Sequence, residues 1–224
     1  NNSLHGGVIG FDKKLWDAEE IADENAIVLS YVSEDGEEGF PGKLDVKIKY
    51  SVTDENGLKI EYFAVSDKDT VCNLTNHSYF NLNGYKGGKI YEHKMHMMSR
   101  FFTPNTDECM PTGEVLSSKG TPFDFTTEKK LGDGMKSDYE QVKMFDGFDH
   151  NFVLDGMGTR KVLTVTGDKT GITMEMITNQ PGVQLYTSNS LVSANKRDYE
   201  NTKHDAFCLE TQVFPDCGHY SHFP

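Results

Sequence analysis

A strict alternation of apolar and polar residues over 43–52 constrains the fold more than any other feature of this chain. The apolar residues share one parity, and the polar residues take the other: Leu44, Val46, Ile48, Tyr50 and Val52 against Asp45, Lys47, Lys49 and Ser51. Successive side chains of a strand point to opposite sides, so this period of two predicts a strand with one buried face. An Asn56-Gly57 turn follows, and a second strand over 58–65 completes a predicted hairpin.

Strand patterns recur along the rest of the chain. A second hairpin is predicted from strands over 161–166 and 172–178, and further strands are predicted over 26–32, 71–82, 91–97, 152–154, 183–186 and 206–209. Only 17–22 and 127–135 have a pattern that could hold a helical turn or two. Most of the 21 glycines and 7 prolines fall between the strands, as turns require. We predict one all-β domain over 1–224, a large antiparallel sandwich or barrel.

The charge balance limits the class of partner. The chain has 22 Lys and Arg against 35 Asp and Glu, a formal net charge of −13. Nucleic acids and anionic membrane surfaces require clustered basic residues, so neither is predicted as a partner. No apolar run is long enough to cross a bilayer, and no signal peptide is visible.

The cysteines and histidines provide no metal-binding pattern. Cys72, Cys109, Cys208 and Cys217 form no Cys-x-x-Cys pair, and the eight histidines include no His-x-x-x-His pair. A secreted disulfide framework is formally possible. A chain of 224 residues does not need one, so we predict free thiols in a reducing, cytoplasmic compartment and no bound metal.

Five polar residues stand out in strand-like or glycine-rich segments: His5, His77, Asp149, Gln184 and Glu210. Each has a structural alternative, because a strand histidine can be a buried hydrogen-bonded residue, Asp149 can cap a turn and Glu210 can be a solvated edge residue. Nearby aromatic residues suit a pocket for a polyhydroxylated ligand, but a hydrophobic core requires them equally: Tyr79, Phe80, Phe148, Phe152 and Tyr186. No nucleophile elbow, phosphate-binding loop or dinucleotide fingerprint is present.

These segments resemble the aldose 1-epimerase family, also called galactose mutarotases. The matching motifs occur in the family's order: Leu-His-Gly-Gly (4–7), Gly-Phe-Asp-Lys (10–13), Asp-Gly-Glu-Glu-Gly-Phe-Pro-Gly (35–42), Leu-Thr-Asn-His-Ser-Tyr-Phe-Asn-Leu (74–82), Pro-Thr-Gly-Glu (111–114), Thr-Pro-Phe-Asp-Phe (121–125), Gly-Phe-Asp-His-Asn-Phe (147–152), Gln-Pro-Gly-Val-Gln-Leu-Tyr-Thr (180–187), Cys-Leu-Glu-Thr-Gln (208–212) and Phe-Pro-Asp (214–216). The resemblance covers essentially the whole chain. It implies a galactose mutarotase-like supersandwich, a large antiparallel β-sandwich.

The resemblance also implies a reaction, the interconversion of the α and β anomers of a free aldose such as galactose or glucose. A base takes the proton of the anomeric hydroxyl while an acid protonates the ring oxygen, and the ring opens to the aldehyde. By match to the family motifs, Glu210 is expected to be the base and His77 the acid. His5, Asp149 and Gln184 are expected to bind the sugar. No metal or organic cofactor is expected.

Two departures from the family pattern bear on this expectation. The family carries a segment before Leu-His-Gly-Gly whose arginine reaches the sugar, and it continues beyond Pro224; both stretches are absent from this sequence. Together with Asn1 in place of Met, they predict a fragment of a longer chain that lacks strands at both ends. A non-catalytic carbohydrate-binding sandwich is therefore the alternative function. A hexose 6-phosphate epimerase is a third hypothesis, but this acidic chain offers no basic phosphate pocket.

Overall fold

The computed structural model describes residues 3–192 and 200–224, so Asn1 lies outside the described residues. The chain divides into two compact units, Asn1–Leu74 and Thr75–Pro224, which are described separately. The one-domain prediction stays a prediction. All the strand pairs between named strands are antiparallel, and the helices are short, which confirms the predicted all-β class. Among the described residues, no helix has the length and apolar character needed to cross a membrane.

The first unit contains a four-stranded meander in the order β1-β2-β3-β4. Its strands are β1 (Asp17–Ile21), β2 (Ala26–Ser33), β3 (Leu44–Val52) and β4 (Leu58–Ser66). The predicted hairpin is confirmed, with Val52 paired to Leu58 next to the turn. Alternating burial is clear at the start of β3, where Leu44 and Val46 are buried and Asp45 and Lys47 are exposed, and it fades toward the turn.

The prediction of a helical turn over 17–22 is wrong. Residues 17–21 form the edge strand β1, which pairs with β2 from Asp17↔Ser30 to Ile21↔Ala26, and a 3₁₀ turn begins at Ala22. Ala18, Glu19 and Glu20 have good helix propensity, but the backbone groups of β2 offer a ladder of hydrogen bonds that local propensity does not outweigh.

The second unit contains two sheets, ordered β11-β10-β5-β8 and β13-β12-β9-β6-β7. Their elements are β5 (Lys94–Met97), β6 (Ser99–Thr103), β7 (Leu116–Ser117), β8 (Lys129–Lys130), β9 (Asp149–Leu154), β10 (Arg160–Thr166), β11 (Thr173–Thr178), β12 (Gly182–Tyr186) and β13 (Cys208–Gln212), with helices α1 (Leu131–Met135) and α2 (Glu140–Phe145). Short 3₁₀ turns lie at Phe11–Lys13, Ala22–Glu24, Glu37–Gly39 and Ile90–Glu92.

Apolar side chains from both sheets of the second unit form one continuous core. Met97 and Val165 from the first sheet and Phe152 and Leu185 from the second are fully buried members of it. Two sheets that share a core in this way form a sandwich. The faces that these strands turn away from the core are therefore the surfaces on which polar side chains can gather.

Several segments differ from the sequence predictions. The strand predicted over 71–82 is absent apart from one bridge, Phe80↔Phe207. Asparagine side chains in this segment bond the neighbouring backbone instead, as where Ser78 N–H donates to Asn76 Oδ1 at 3.1 Å. The predicted strand over 91–97 starts only at Lys94. Within 127–135 only Leu131–Met135 is helical, while Lys129–Lys130 form β8; β6, β7, β8 and α2 were not predicted.

Candidate active site

Three neighbouring strands of the second unit bring the polar residues of the candidate site to one face. Gln184 of β12 lies opposite Glu210 of β13, and Tyr186 of β12 lies opposite both Asp149 of β9 and Cys208 of β13. Side chains with the same parity on paired strands share a face of the sheet. The opposite parity supplies the core, including Leu185 and Phe152.

Glu210 is the buried acid of this face, with 7% of the residue exposed. Burial, and then the negative charge of Asp149, raise the pKa of Glu210 to about 8. Both effects disfavour the ionised carboxylate. A carboxyl group with a pKa near neutrality can accept and return a proton during a reaction, which an ordinary surface glutamate does poorly.

His77 lies beside Glu210, with its Nε2 3.6 Å from Glu210 Oε1 and 32% of its side chain exposed. This distance is too long for a direct hydrogen bond. Backbone hydrogen bonds in both directions between Phe80 and Phe207 hold the segment that carries His77 next to β13. Asn81 strengthens the attachment by donating to the carbonyl oxygens of Gly88 and Asp205, each at 2.8 Å.

Two tyrosines flank the imidazole of His77. Tyr79 stacks on it, with ring centroids 5.2 Å apart, and Tyr186 meets it edge-on at 6.0 Å. Burial raises the pKa of Tyr79 to about 12, so its hydroxyl keeps its proton at neutral pH. These rings restrict how far the imidazole can turn and give the site apolar surface for the C–H groups of a ligand.

A chain of amide side chains fixes the other carboxylate of the site. Gln184 Nε2 donates to Asp149 Oδ1 at 2.8 Å. Gln212 Nε2 donates in turn to Gln184 Oε1 and to Asn151 Oδ1, each at 3.2 Å. Asn105 Nδ2 also donates to the backbone oxygen of Asp149 at 3.0 Å. These contacts hold Asp149 and Gln184 in defined orientations without using any positive charge.

The site also contains a set of possible metal ligands. One donor atom each from His77, Cys208 and Glu210 lies within 4.8 Å of the others. Burial, with the charges of Glu210 and Asp149, raises the pKa of the Cys208 thiol well above its usual range. The sequence did not indicate this group because His77 is distant from Cys208 and Glu210 in the chain and reaches them through the pairing of Phe80 with Phe207.

The structure brings together four of the five residues selected from the sequence: His77, Asp149, Gln184 and Glu210. His5 belongs to the first unit, where it has a positive φ of 55° in a turn, and its sugar contact stays a prediction. His150, adjacent to Asp149 in the sequence, points to the opposite face, and its complete burial lowers its pKa to about 3.

The sequence left open whether the aromatic residues line a ligand pocket or fill the hydrophobic core, and the structure shows both. Phe148 and Phe152 are fully buried in the core, whereas Tyr79 and Tyr186 flank His77. Sequence reasoning assigned no role to Asn151, Cys208 and Gln212. The alternation of side chains along a strand could have found them, because Asn151 lies two residues from Asp149, and Cys208 and Gln212 each lie two residues from Glu210.

Comparison with known proteins identifies the family. The family model described as aldose 1-epimerase matches residues 1–224. The chain belongs to the aldose 1-epimerase family. This result confirms the resemblance seen in the sequence motifs.

Relatives in this family are similar along the whole chain. The galactose mutarotase of Bos taurus is 42% identical over 226 residues, which cover 100% of this chain and 64% of the relative. The aldose 1-epimerase of Haemophilus influenzae is 36% identical, over 96% of this chain and 63% of the relative. The chain thus spans less than two thirds of the length of these aldose 1-epimerases.

A solved structure supports the fold. The aldose epimerase homologue from C. elegans superposes with a TM-score of 0.89 at 29% identity, covering 99% of this chain and 66% of the other. The predicted galactose mutarotase-like sandwich is therefore confirmed as the fold class.

Proposed function

We propose that this protein is an aldose 1-epimerase that interconverts the α and β anomers of a free hexose through the open-chain aldehyde. The observation that carries the proposal is the placement of a buried Glu210, with a pKa near 8, 3.6 Å from the imidazole of His77. A non-catalytic sugar-binding site has no need for such a pair.

The reaction requires an acid and a base side by side. The hydroxyl and ring oxygens that exchange protons are bonded to the same anomeric carbon, so the two groups that serve them must be close neighbours. Glu210 takes the proton of the anomeric hydroxyl, and His77 protonates the ring oxygen as its bond to carbon breaks. The same groups act in reverse after the aldehyde rotates, which produces the other anomer.

The raised pKa of Glu210 suits this exchange. A base is most effective when its pKa lies near the working pH, because it is then ionised often enough and still holds a proton well. An ordinary glutamate, with a pKa of about 4.3, would abstract the proton poorly. A histidine side chain is the acid that such chemistry most often uses near neutral pH, which suits the role proposed for His77.

Asp149, Gln184 and His5 bind the sugar hydroxyls in this proposal. The Asp149 carboxylate can accept from two hydroxyl groups, while the Gln184 amide, held by Gln212, fixes that carboxylate. Galactose or glucose is the proposed substrate. A neutral sugar requires no basic pocket, which agrees with the net charge of −13. The four cysteines are free, which supports a reducing, cytoplasmic compartment.

Polarimetry on freshly dissolved α-galactose and α-glucose tests the proposal. Glu210→Gln and His77→Asn should each reduce the catalysed rate by several orders of magnitude, with circular dichroism confirming the fold. Thr211→Ser, on the opposite face of β13, is the matched control. Near-full activity in either variant would overturn that residue's role. Galactose binding without acceleration in the unmodified protein would instead support the non-catalytic alternative.

A further inference from the structure

His77, Cys208 and Glu210 provide three different kinds of metal ligand at one point. The imidazole nitrogen comes from a loop, and the thiol and carboxylate come from the same face of β13. Their donor atoms all lie within 4.8 Å of one another. This set combines nitrogen, sulfur and oxygen, so it is not a cluster of acids on a solvated surface.

The spacing agrees with tetrahedral coordination. Zinc bonds of about 2.0–2.3 Å place neighbouring ligand atoms roughly 3.3–3.7 Å apart. His77 Nε2 and Glu210 Oε1 are already at 3.6 Å. The thiol of Cys208 lies within 4.8 Å of a donor atom of each of these residues, and a rotation of its side chain about χ1 can shorten that separation.

We propose that His77, Cys208 and Glu210 bind Zn²⁺ and that the bound ion inhibits the protein by occupying the acid and the base. The inhibition rests on the proposed epimerase function, whereas the binding does not. The ion is an inhibitor and not a cofactor, since it would compete for the same atoms that exchange protons with the sugar.

The chemistry of the ligands selects the ion. A thiolate is a soft ligand that favours zinc, whereas Mg²⁺ and Ca²⁺ prefer all-oxygen sites. On binding, the Cys208 thiol and the Glu210 carboxyl, which is mostly protonated at neutral pH, each release a proton to solvent as their bonds to zinc form, and the two positive charges of the ion balance the resulting thiolate and carboxylate. Three protein ligands leave a fourth position for water, as in other open zinc sites.

Burial favours a tight site, and exposure of one ligand permits entry. Cys208 is fully buried, and Glu210 has 9% of its side chain exposed, so few waters compete for the ion there. His77 retains 32% side-chain exposure and can take up the ion first. The negative charge of Asp149 acts on both Glu210 and Cys208, and it adds to the attraction for a cation.

Binding is measured first, without any activity assay. Isothermal titration calorimetry of the protein with Zn²⁺ should give one site, and Mg²⁺ should give none. Co²⁺ used as a spectroscopic substitute should show the charge-transfer absorption of a cobalt–thiolate bond. Cys208→Ser and Glu210→Gln should each weaken Zn²⁺ binding more than about tenfold, the smallest loss typical even of outer-shell partners. Cys208→Ser should also lose the thiolate band.

Matched controls separate this site from other thiols. Cys72 and Cys109 are exposed, so Cys72→Ser and Cys109→Ser should keep both the affinity and the cobalt band. If Cys208→Ser folds by circular dichroism but binds Zn²⁺ as tightly as the unmodified protein, the proposal is wrong. A failure of Glu210→Gln to weaken binding contradicts it equally, and this second variant keeps the test decisive if the serine variant does not fold.

The activity assay then tests inhibition. Zn²⁺ should slow mutarotation, and a chelator should restore the rate. In Cys208→Ser, the Zn²⁺ concentration that halves the rate should rise at least about tenfold. Zinc binding in a protein without mutarotase activity would overturn the proposed function but leave the metal site. Activity unaffected by Zn²⁺ at concentrations that saturate the calorimetric site would overturn the inhibition.

Discussion

Gln184 donates a 2.8 Å hydrogen bond to Asp149 Oδ1. The same Gln184 lies directly opposite Glu210 in the β12–β13 register, so a neutral amide stands between two acids. The amide hydrogen bond orients the Asp149 carboxylate, while burial and the Asp149 charge favour the protonated form of Glu210. Two carboxyl groups on one sheet face therefore receive different chemical roles from their surroundings.

The pH dependence of catalysis should reflect this pair. Because the pKa of Glu210 is raised to about 8, ionisation of this base should give a limb of kcat/KM that rises with pH toward about 8, and loss of the proton of the acid His77 should give the falling limb of a bell-shaped profile. Asp149→Asn removes a charge that raises this pKa, so the rising limb should move to lower pH. Initial rates across pH 5–10, corrected for the spontaneous reaction, would measure the shift. Asp138→Asn at a fully exposed position is the control, and an unmoved limb in Asp149→Asn would contradict the coupling.

Protein stability should respond to pH through the same group. Between an ordinary carboxyl pKa of about 4.3 and the native value of about 8, folded Glu210 keeps a proton that the unfolded chain has lost. The free energy of unfolding therefore falls as pH rises through this window. Glutamine does not titrate, so Glu210→Gln lacks this pH-dependent loss. The free energy of unfolding of the variant minus that of the unmodified protein should therefore increase from pH 4 to pH 8 by on the order of 3–5 kcal/mol. Urea denaturation at pH 5 and pH 9 measures it, and an equal difference at both pH values would refute the raised pKa.

Gln212 should act as a positioning residue for sugar binding. Gln212→Leu removes the two 3.2 Å hydrogen bonds to Gln184 and Asn151, so the Gln184 amide is less firmly held. We expect KM to rise by a factor of up to about ten with kcat nearly unchanged, since a hydrogen bond contributes about 0.5–1.5 kcal/mol. Gln184→Leu should change KM in the same direction and by more. A loss confined to kcat would argue against a binding effect.

Gly147 should be required at the start of β9. Its φ is +144°, and an added Cβ would lie 2.3 Å from Asn189 Oδ1 and 2.5 Å from Thr187 Oγ1. Those side chains bond the backbone of Phe148, the residue before Asp149. Gly147→Ala should therefore lower the unfolding free energy by at least about 1–3 kcal/mol and weaken sugar binding.

Gly158→Ala is the matched control for that substitution. Gly158 also has a positive φ, +66°, but nothing lies within 4 Å of its added Cβ. Urea denaturation and calorimetry with galactose compare the two variants. If both lose stability and affinity equally, the contacts of Gly147 with Asn189 and Thr187 are not the cause.

The sequence by itself determined the elements that depend on neighbouring residues. The alternation over 43–52 and the Asn56-Gly57 turn predicted the hairpin of β3 and β4, because strand period and turn chemistry are local. Two local patterns predicted the wrong structure. The segment 17–22 has helical propensity, but 17–21 pair with β2 as strand β1. The segment 71–82 is rich in apolar residues, but its Ser78 N–H bonds the Asn76 side chain of the same segment instead of a neighbouring strand. Motifs such as Cys-Leu-Glu-Thr-Gln also sufficed to predict the family.

Only the tertiary structure decided which polar residues meet. The order β9-β12-β13 and its register place Asp149, Gln184 and Glu210 on one face, and the bridge of Phe80 to Phe207 brings His77 to them. Register, burial and the field of a neighbouring charge arise between residues far apart in the chain, so no local pattern encodes the pKa of Glu210 or the approach of Cys208 to His77. The sequence supplied Glu210 and His77, and the packing of strands brought them together and raised the pKa of Glu210.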